Sequence, residues 1–418
     1  MLRTIPFRLW HHFQTDSLFR NSIYMMASMA IMGVLGFVFW IVVARVFSTS
    51  SVGLATALIS AMALISNFSL LGFNISLVRY LPKSAKRNEK INAVFFLVTG
   101  ASIISSLIFI AGLKLFSPQL AFLQTNYFYI LTFIFFVIGA SINTLIDSIF
   151  MAYRVAGNIL IKNTIISILK LIFPLLFIFL GSYGIFSAVS LATLISIIFS
   201  FIILLSKYNF IPSLRLNLNE VKDMAKFSAG NYVASFLSQA PGLLLPILII
   251  NGHKAETAAY YYVSSMILGF LMIISQSTTQ SLLAEGSHDI SAVRQHFIKS
   301  LKLVFALLIP AIIIIVLFGN LILRAFGKSY ADESFIFLKI ISFSAIFLSI
   351  SSLGNSLLRL RHQIKYLIIM NNISAIIILG LAYVFIPTGL IGIGWALLLG
   401  QIISAVLYIV VLWKKKFL

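Results

Sequence analysis

The chain has 418 residues, 61% of them hydrophobic and 10% charged, with a mean hydropathy of +1.07 and a formal net charge of +20. A water-soluble domain, which typically carries about 25% charged residues, is excluded by that balance. There is no cysteine, so disulfide frameworks and thiolate chemistry are excluded too.

Residues 1–20 mix bases with Trp10 and Phe13 in LRTIPFRLWHHFQTDSLFR, a composition that fits either a short amphipathic helix at the interface or a plain cytoplasmic tail. Apolar runs then recur, each about 20 residues or more and so long enough to cross about 30 Å of hydrocarbon as a helix. They lie at 21–46, 52–78, 91–116, 127–153, 159–180, 185–206, 228–251, 257–283, 301–325, 334–358, 366–387 and 390–413. Strands of a membrane barrel would alternate in polarity instead of running continuously apolar. The pattern predicts an all-α polytopic membrane protein with twelve transmembrane helices. Span one is too long for a cleavable signal and has no small-residue cleavage site after it.

The basic residues mark topology and do not form a nucleic-acid patch. Arg3, Arg8 and Arg20 precede span one, and Arg79, Lys83, Lys86, Arg87 and Lys90 follow span two. Further groups are Arg154 with Lys162; Lys207, Arg215, Lys222 and Lys226; Arg294, Lys299 and Lys302; Arg359, Arg361 and Lys365; and Lys414 to Lys416. All fall on one side if both termini are cytoplasmic, leaving Arg45, Lys114, Lys254, Arg324 and Lys328 on the other. The positive-inside rule therefore predicts a multi-pass protein of the cell (inner or plasma) membrane with N- and C-termini in the cytoplasm. The longest loops, near 207–227 and 284–300, are cytoplasmic and modest in length.

An internal repeat is visible. GIFSAVSLATLISIIFSFIILLSKYNF from Gly184 reads against GIGWALLLGQIISAVLYIVVLWKKKFL from Gly392, and a shift of about 206 residues lays the remaining spans over one another. Six spans per half is an even number, so both halves cross in the same sense. This predicts two six-helix lobes related by a pseudo-two-fold along the membrane normal, with a cleft between them. The expected organisation is a cytoplasmic N-terminal segment 1–20, an N-lobe 21–206 with spans one to six, a linker 207–227, a C-lobe 228–413 with spans seven to twelve, and a basic tail 414–418. Pro174, Pro241, Pro246 and Pro310 each remove a helix hydrogen bond. Pro241 and Pro246, which share span seven, are the candidate hinge.

ARVFSTSSVGLATAL, LVRYLPKS and IDSIFMAYRVAGNILIKNTIISILKLIFPLLFIFLGSYGIFSA, together with the twelve-span length, resemble the polysaccharide transporter branch of the multidrug/oligosaccharidyl-lipid/polysaccharide exporter superfamily. The resemblance covers essentially the whole chain. It implies a flippase that moves polyprenyl-diphosphate-linked oligosaccharides, such as O-antigen or capsule repeat units, from the cytoplasmic to the outer leaflet by alternating access, with ion coupling proposed for such proteins. It also implies membrane lipids and glycan assembly proteins as partners. Arg45 and Arg79 match family positions, though as span-end residues topology alone accounts for them.

Charges within spans are costly and point to a partner or a cavity. Asp147 and Lys170 are such residues. One reading is an ion pair between Asp147 and Lys170 or Arg154 that locks spans four and five together. The other has Lys170, Arg154, Arg79 and Arg45 attract the carrier diphosphate, with Asp147, two turns before Arg154 on one helical face, carrying a coupling ion, H+ or Na+. In the shifted register the second-half counterparts of Asp147 and Lys170 are Leu353 and Ile376. The polar residues of that half are neutral: Gln239, Gln276, Gln280, Asn355, Asn371 and Gln401. They are suited either to sugar hydroxyls or to ordinary interhelical hydrogen bonds.

No nucleotide-binding loop, HExxH or Ser/His/Asp pattern is present, so no enzyme activity, cofactor or ATP use is expected. The six histidines fall in loops or tails at unrelated spacings and predict no metal site. A cation-coupled multidrug exporter on the same scaffold is the alternative function, although the deep cation Lys170 favours an anionic cargo. A membrane glycan polymerase or ligase is a second alternative, disfavoured because that chemistry usually occupies a long outer loop.

Overall fold

The computed structural model describes residues 17–213, 221–288, 293–415 and 417. The N-terminal residues carrying Trp10 and Phe13, Arg215 and Lys416 lie outside the described residues.

The described chain is helical with short connections. Its helices are α1 (Ser17–Val46), α2 (Thr49–Ser69), α3 (Phe73–Tyr80), α4 (Arg87–Ala111), α5 (Leu113–Phe116), α6 (Tyr127–Ala152), α7 (Ala156–Leu176) and α8 (Gly181–Tyr208). They are followed by α9 (Lys222–Gly252), α10 (Ala255–His288), α11 (Val293–Arg324), α12 (Lys328–Leu360), α13 (Ile364–Phe385) and α14 (Gly389–Lys414). Among the described residues, ten helical stretches are long and apolar enough to cross a membrane; the last of these, Ile364–Lys414, contains both α13 and α14. Phe236–Gly252 within α9 is a shorter apolar stretch. These segments account for the twelve spans of an all-α polytopic membrane protein.

Apolar faces remain open where lipid would cover them. Ile104, Leu107 and Ile108 on α4, and Ile313, Ile314, Leu317 and Leu321 on α11, are all exposed. Backbone groups on these faces are satisfied within their own helices, the condition for standing in hydrocarbon.

Two expectations are corrected. Span two is not one helix from 52 to 78: Leu71 (φ 49°) and Gly72 (φ 76°) adopt left-handed backbone and separate α2 from α3. The expected loop near 284–300 is largely helical, because α10 runs to His288 and α11 begins at Val293.

The chain forms two compact units, Met1–Phe47 with Ala61–Tyr232, and Ser48–Ser60 with Val233–Leu418. In the first, α1 packs on α7, α7 on α8, and α6 on α3, α4 and α8. Its apolar centre gathers Phe73, Leu77, Leu145, Ile149, Phe150, Leu204 and Met224. In the second, α12 is the hub, packed by α10, α11 and α14, with α13 on α14. The N-terminal part of α2 belongs to this second unit, and Gly53 explains how closely it fits. A Cβ there would lie 1.7 Å from the Ala255 carbonyl oxygen, an approach only glycine permits.

The two halves repeat in local backbone detail, at an offset of 208 residues and not 206. Arg154 (φ 59°) and His362 (φ 54°) both sit in left-handed turns. The amides of Tyr153, Arg154 and Val155 donate to the carbonyls of Ile149, Met151 and Phe150, and those of Arg361, His362 and Gln363 donate to Leu357, Arg359 and Leu358. These are paired helix C-terminal closures, in which a left-handed residue lets the following amides satisfy orphan carbonyls. Short 3-10 turns at Ile178–Leu180 and Ile386–Thr388 then lead into Gly181 (φ 55°) and Gly389 (φ 80°). The counterparts of Asp147 and Lys170 are therefore Asn355 and Ile378, replacing Leu353 and Ile376. Gly184 and Gly392 also stand at the 208 offset.

Candidate functional site

In the first unit Asp147 stands on α6 and Lys162 on α7, joined by the tight turn 153–155 that folds the two helices back on each other. Lys162 Nζ lies 2.6 Å from Asp147 Oδ1, and their side chains are 0% and 24% exposed. The ammonium also donates to Asn143 Oδ1 at 2.7 Å and to the Asn143 carbonyl at 3.3 Å. Asn143 precedes Asp147 by one helical turn, so one face of α6 supplies every acceptor. Burying both charges costs several kcal/mol each, and close contact with additional hydrogen bonds is what offsets it.

This arrangement corrects the expected pairing. Lys162, grouped with the basic topology markers on sequence, is the partner of Asp147; Lys170 and Arg154 are not. Arg154 lies beyond the end of α6 in its left-handed turn, exposed, so it shares no helical face with Asp147. Lys170, eight residues beyond Lys162 on α7, is partly buried against α1. Its Nζ stands 5.6 Å from the centre of the Phe39 ring and 3.6 Å from where a Cβ on Gly36 would be. No carboxylate among the described residues pairs with it. A cation over an aromatic face gains about 0.5–2 kcal/mol depending on desolvation.

Arg45 is exposed in the last turn of α1, and Arg79 is exposed near the end of α3, 5.6 Å from the Tyr80 ring centre. A depression of about 690 Å³ lies at the ends of helices in the same unit, where Lys86, Arg87 and Lys207, with Glu89, surround the stacked rings of Tyr153 and Tyr208.

The second unit holds an open cavity of about 610 Å³ between α9, α10, α12, α13 and α14. Its wall carries hydroxyls and amides, from Gln276, Gln280, Asn355, Asn371, Gln401 and Tyr408 with several serines, interspersed with apolar side chains such as Leu237, Leu283, Leu348 and Ile378. Of the neutral polar residues singled out on sequence, only Gln239 is absent from the lining; it is exposed on α9 beside the lining residues Ser238 and Pro241. Pro241 and Pro246 both lie inside a continuous α9.

A hydrogen-bonded cluster organises this wall. Asn355 Nδ2 donates to Asn371 Oδ1 at 2.9 Å and to the Tyr408 hydroxyl at 3.2 Å, and that hydroxyl donates to Asn371 Oδ1 at 2.9 Å. Asn355 Oδ1 accepts from Arg359 Nε at 3.0 Å. Arg359 is the one charged residue in the lining, and no carboxylate accompanies it. Sequence reasoning missed both Arg359 and Lys162 because each adjoins a basic cluster. The signals were there: Lys162 is embedded in the apolar run NILIKNTII, and Arg359 follows Asn355 by four residues, on one helical face.

The two halves thus handle one position differently. At the Asp147/Asn355 site the first half has a carboxylate neutralised by Lys162. The second has an amide, with Met370 at the Lys162 position and Asn371 one residue on as partner.

The chain belongs to the family described as polysaccharide biosynthesis protein, whose model matches residues 18–280, more than half the chain. That family accords with the resemblance of the sequence to the polysaccharide transporter branch of the multidrug/oligosaccharidyl-lipid/polysaccharide exporter superfamily. Comparison with curated proteins finds no match. The fold is shared with several solved structures. One is the lipid II flippase MurJ in an inward closed conformation, with a TM-score of 0.74 and 15% identity, covering 94% of this chain and 87% of that one. Another is an inward-facing multidrug resistance MATE family transporter, with a TM-score of 0.69 and 15% identity, covering 95% and 97%. A superfamily transporter from Pyrococcus furiosus, described as having a binding pocket of reversed polarity, has a TM-score of 0.58 and 16% identity, covering 96% and 95%.

Proposed function

We propose that this protein is a flippase that moves polyprenyl-diphosphate-linked oligosaccharide repeat units, of the O-antigen or capsule kind, from the cytoplasmic to the outer leaflet by alternating access. Its partners in this reading are the lipid-linked cargo, membrane lipids and the glycan assembly proteins that make and consume the cargo. Family membership supports a transporter of this superfamily, and the second-unit cavity carries the choice among its cargoes.

A wall that mixes hydroxyls and amides with apolar side chains, and holds a single arginine and no carboxylate, suits an amphipathic cargo with sugar hydroxyls and negative charge. A cationic drug would need acidic residues to offset its desolvation, and the lining has none. The first-unit carboxylate, Asp147, is occupied by Lys162. That pairing favours a structural role for it over one in H+ or Na+ coupling.

The test is complementation. Expressed in a bacterial strain lacking its own O-antigen flippase, the chain should restore surface glycan and clear the lipid-linked intermediate from the inner leaflet. Expression in the membrane with the intermediate still trapped would refute the reading, provided that cargoes of several repeat-unit structures are tried.

A further inference from the structure

We infer that Arg359 is the anion anchor of the second-unit cavity, holding a phosphate of the carrier lipid while the neutral wall faces the sugar. The inference rests on the flippase reading for the identity of the cargo, and on geometry for the site itself.

A guanidinium has five N–H donors in a rigid fork. In Arg359 the Nε hydrogen is taken by Asn355 Oδ1, which fixes the plane of the group. Asn355 cannot turn away, since its amide nitrogen is engaged by Asn371 and Tyr408, and those two are bonded to each other. Among the described residues no acceptor takes the Arg359 Nη hydrogens. Both Nη groups therefore remain for a ligand, on a side chain that lines the cavity and is exposed to it. Paired N–H donors in one plane match the oxygens of a phosphate, and such charge-assisted bonds are about twice as strong as neutral ones.

The repeat sharpens the argument. Arg359 corresponds to Met151 in the first half, so this cation is not inherited from the shared framework. Its support, Asn355, stands where the first half has Asp147. A carboxylate at Asn355 would pair with Arg359 and cancel the charge that a phosphate needs; the amide positions the guanidinium and leaves it cationic.

The experiment uses the purified full chain in nanodiscs of zwitterionic phospholipid, titrated with farnesyl diphosphate and, separately, with farnesol. Wild-type protein should bind the diphosphate more tightly than the alcohol, and inorganic pyrophosphate should displace it, identifying the phosphate as the group held. Arg359→Gln should weaken diphosphate binding about 10- to 100-fold, the range expected on losing charge-assisted hydrogen bonds, and leave farnesol binding unchanged. Arg359→Lys should fall between, since it keeps the charge and loses the fork.

Asn355→Asp, which leaves Arg359 in place, should weaken diphosphate binding as well, and carries the test if Arg359→Gln fails to fold. Unchanged farnesyl diphosphate affinity in a folded Arg359→Gln or Asn355→Asp variant overturns the inference. Complementation separates the two readings. Arg359-dependent diphosphate binding by a protein that exports no glycan keeps the anchor and removes the flippase. Normal export and normal binding by Arg359→Gln keep the flippase and remove the anchor.

Discussion

Asp147 and Lys162 face each other across the hairpin of α6 and α7 at 2.6 Å, the lysine side chain fully buried and the carboxylate largely so. Removing one partner from a buried pair leaves an uncompensated charge and costs about 3–5 kcal/mol. Asp147→Asn and Lys162→Met should therefore each lower the unfolding temperature of the detergent-purified protein. The double variant, which imitates the Asn355 and Met370 of the second half, should recover most of the loss and still export glycan. Recovery of stability with export abolished would instead assign Asp147 to ion coupling. Lys170→Met should not rescue Asp147→Asn, since Lys170 has a different neighbour.

Lys170 separates stability from function. Its ammonium lies over Phe39 without a carboxylate partner among the described residues, so Lys170→Met removes a costly charge from a half-buried site and adds an apolar chain in its place. Thermal stability should stay the same or rise, while glycan export, read as surface polymer per unit of protein, should fall if the cation serves the cargo. Normal export by this variant would leave Lys170 as a packing residue.

Arg154 carries a conformational penalty at φ 59°. A left-handed L-residue costs about 1–2 kcal/mol relative to its right-handed form, a cost glycine escapes. Arg154→Gly should leave stability unchanged or raise it by up to about 1 kcal/mol, and Arg154→Val, β-branched in a left-handed turn, should lower it. His362→Gly should behave as Arg154→Gly does, because the two turns are equivalent. Export lost by Arg154→Gly at undiminished stability would establish the guanidinium as a cargo contact.

Gly53→Ala should be strongly destabilising. The added Cβ would fall 1.7 Å from the Ala255 carbonyl oxygen, a backbone atom that cannot rotate aside, so α2 must shift against α10. Overpacking of this kind costs about 1–3 kcal/mol, measurable as reduced membrane abundance and a lower unfolding temperature. Gly242→Ala, whose added methyl would meet nothing within 4 Å, is the control and should be near neutral.

Topology is checked by reporter fusions. Fusions ending at Lys90 or Lys226 should report cytoplasmic, and those ending at Asn126 or Lys254 external, following the asymmetry of the basic residues. An external signal at Lys226 would break the twelve-span count and, with it, the repeat.

The sequence by itself determined the class, the number of spans and the existence of a repeat, because each of these is a property of continuous runs. Hydropathy over about 20 residues follows directly from the need to satisfy backbone groups inside hydrocarbon, and Gly184 against Gly392 revealed the duplication. It also singled out Gln239, Gln276 and Asn355 by their polarity, a signal that does not separate a cavity wall from an interhelical hydrogen bond. Only the tertiary structure decided which charge meets which. Lys162 and Arg359 look like topology markers in a linear reading, since a basic residue near a span end is the commonest signal of orientation. Their roles depend on the angle at which each side chain leaves its helix and on how far the helix extends past the apolar run. The break at Leu71 and Gly72 and the left-handed turns at Arg154 and His362 were hidden for a related reason. Three of these four residues are not glycine, so the backbone conformation is imposed by helix packing on either side and leaves no mark in residue type.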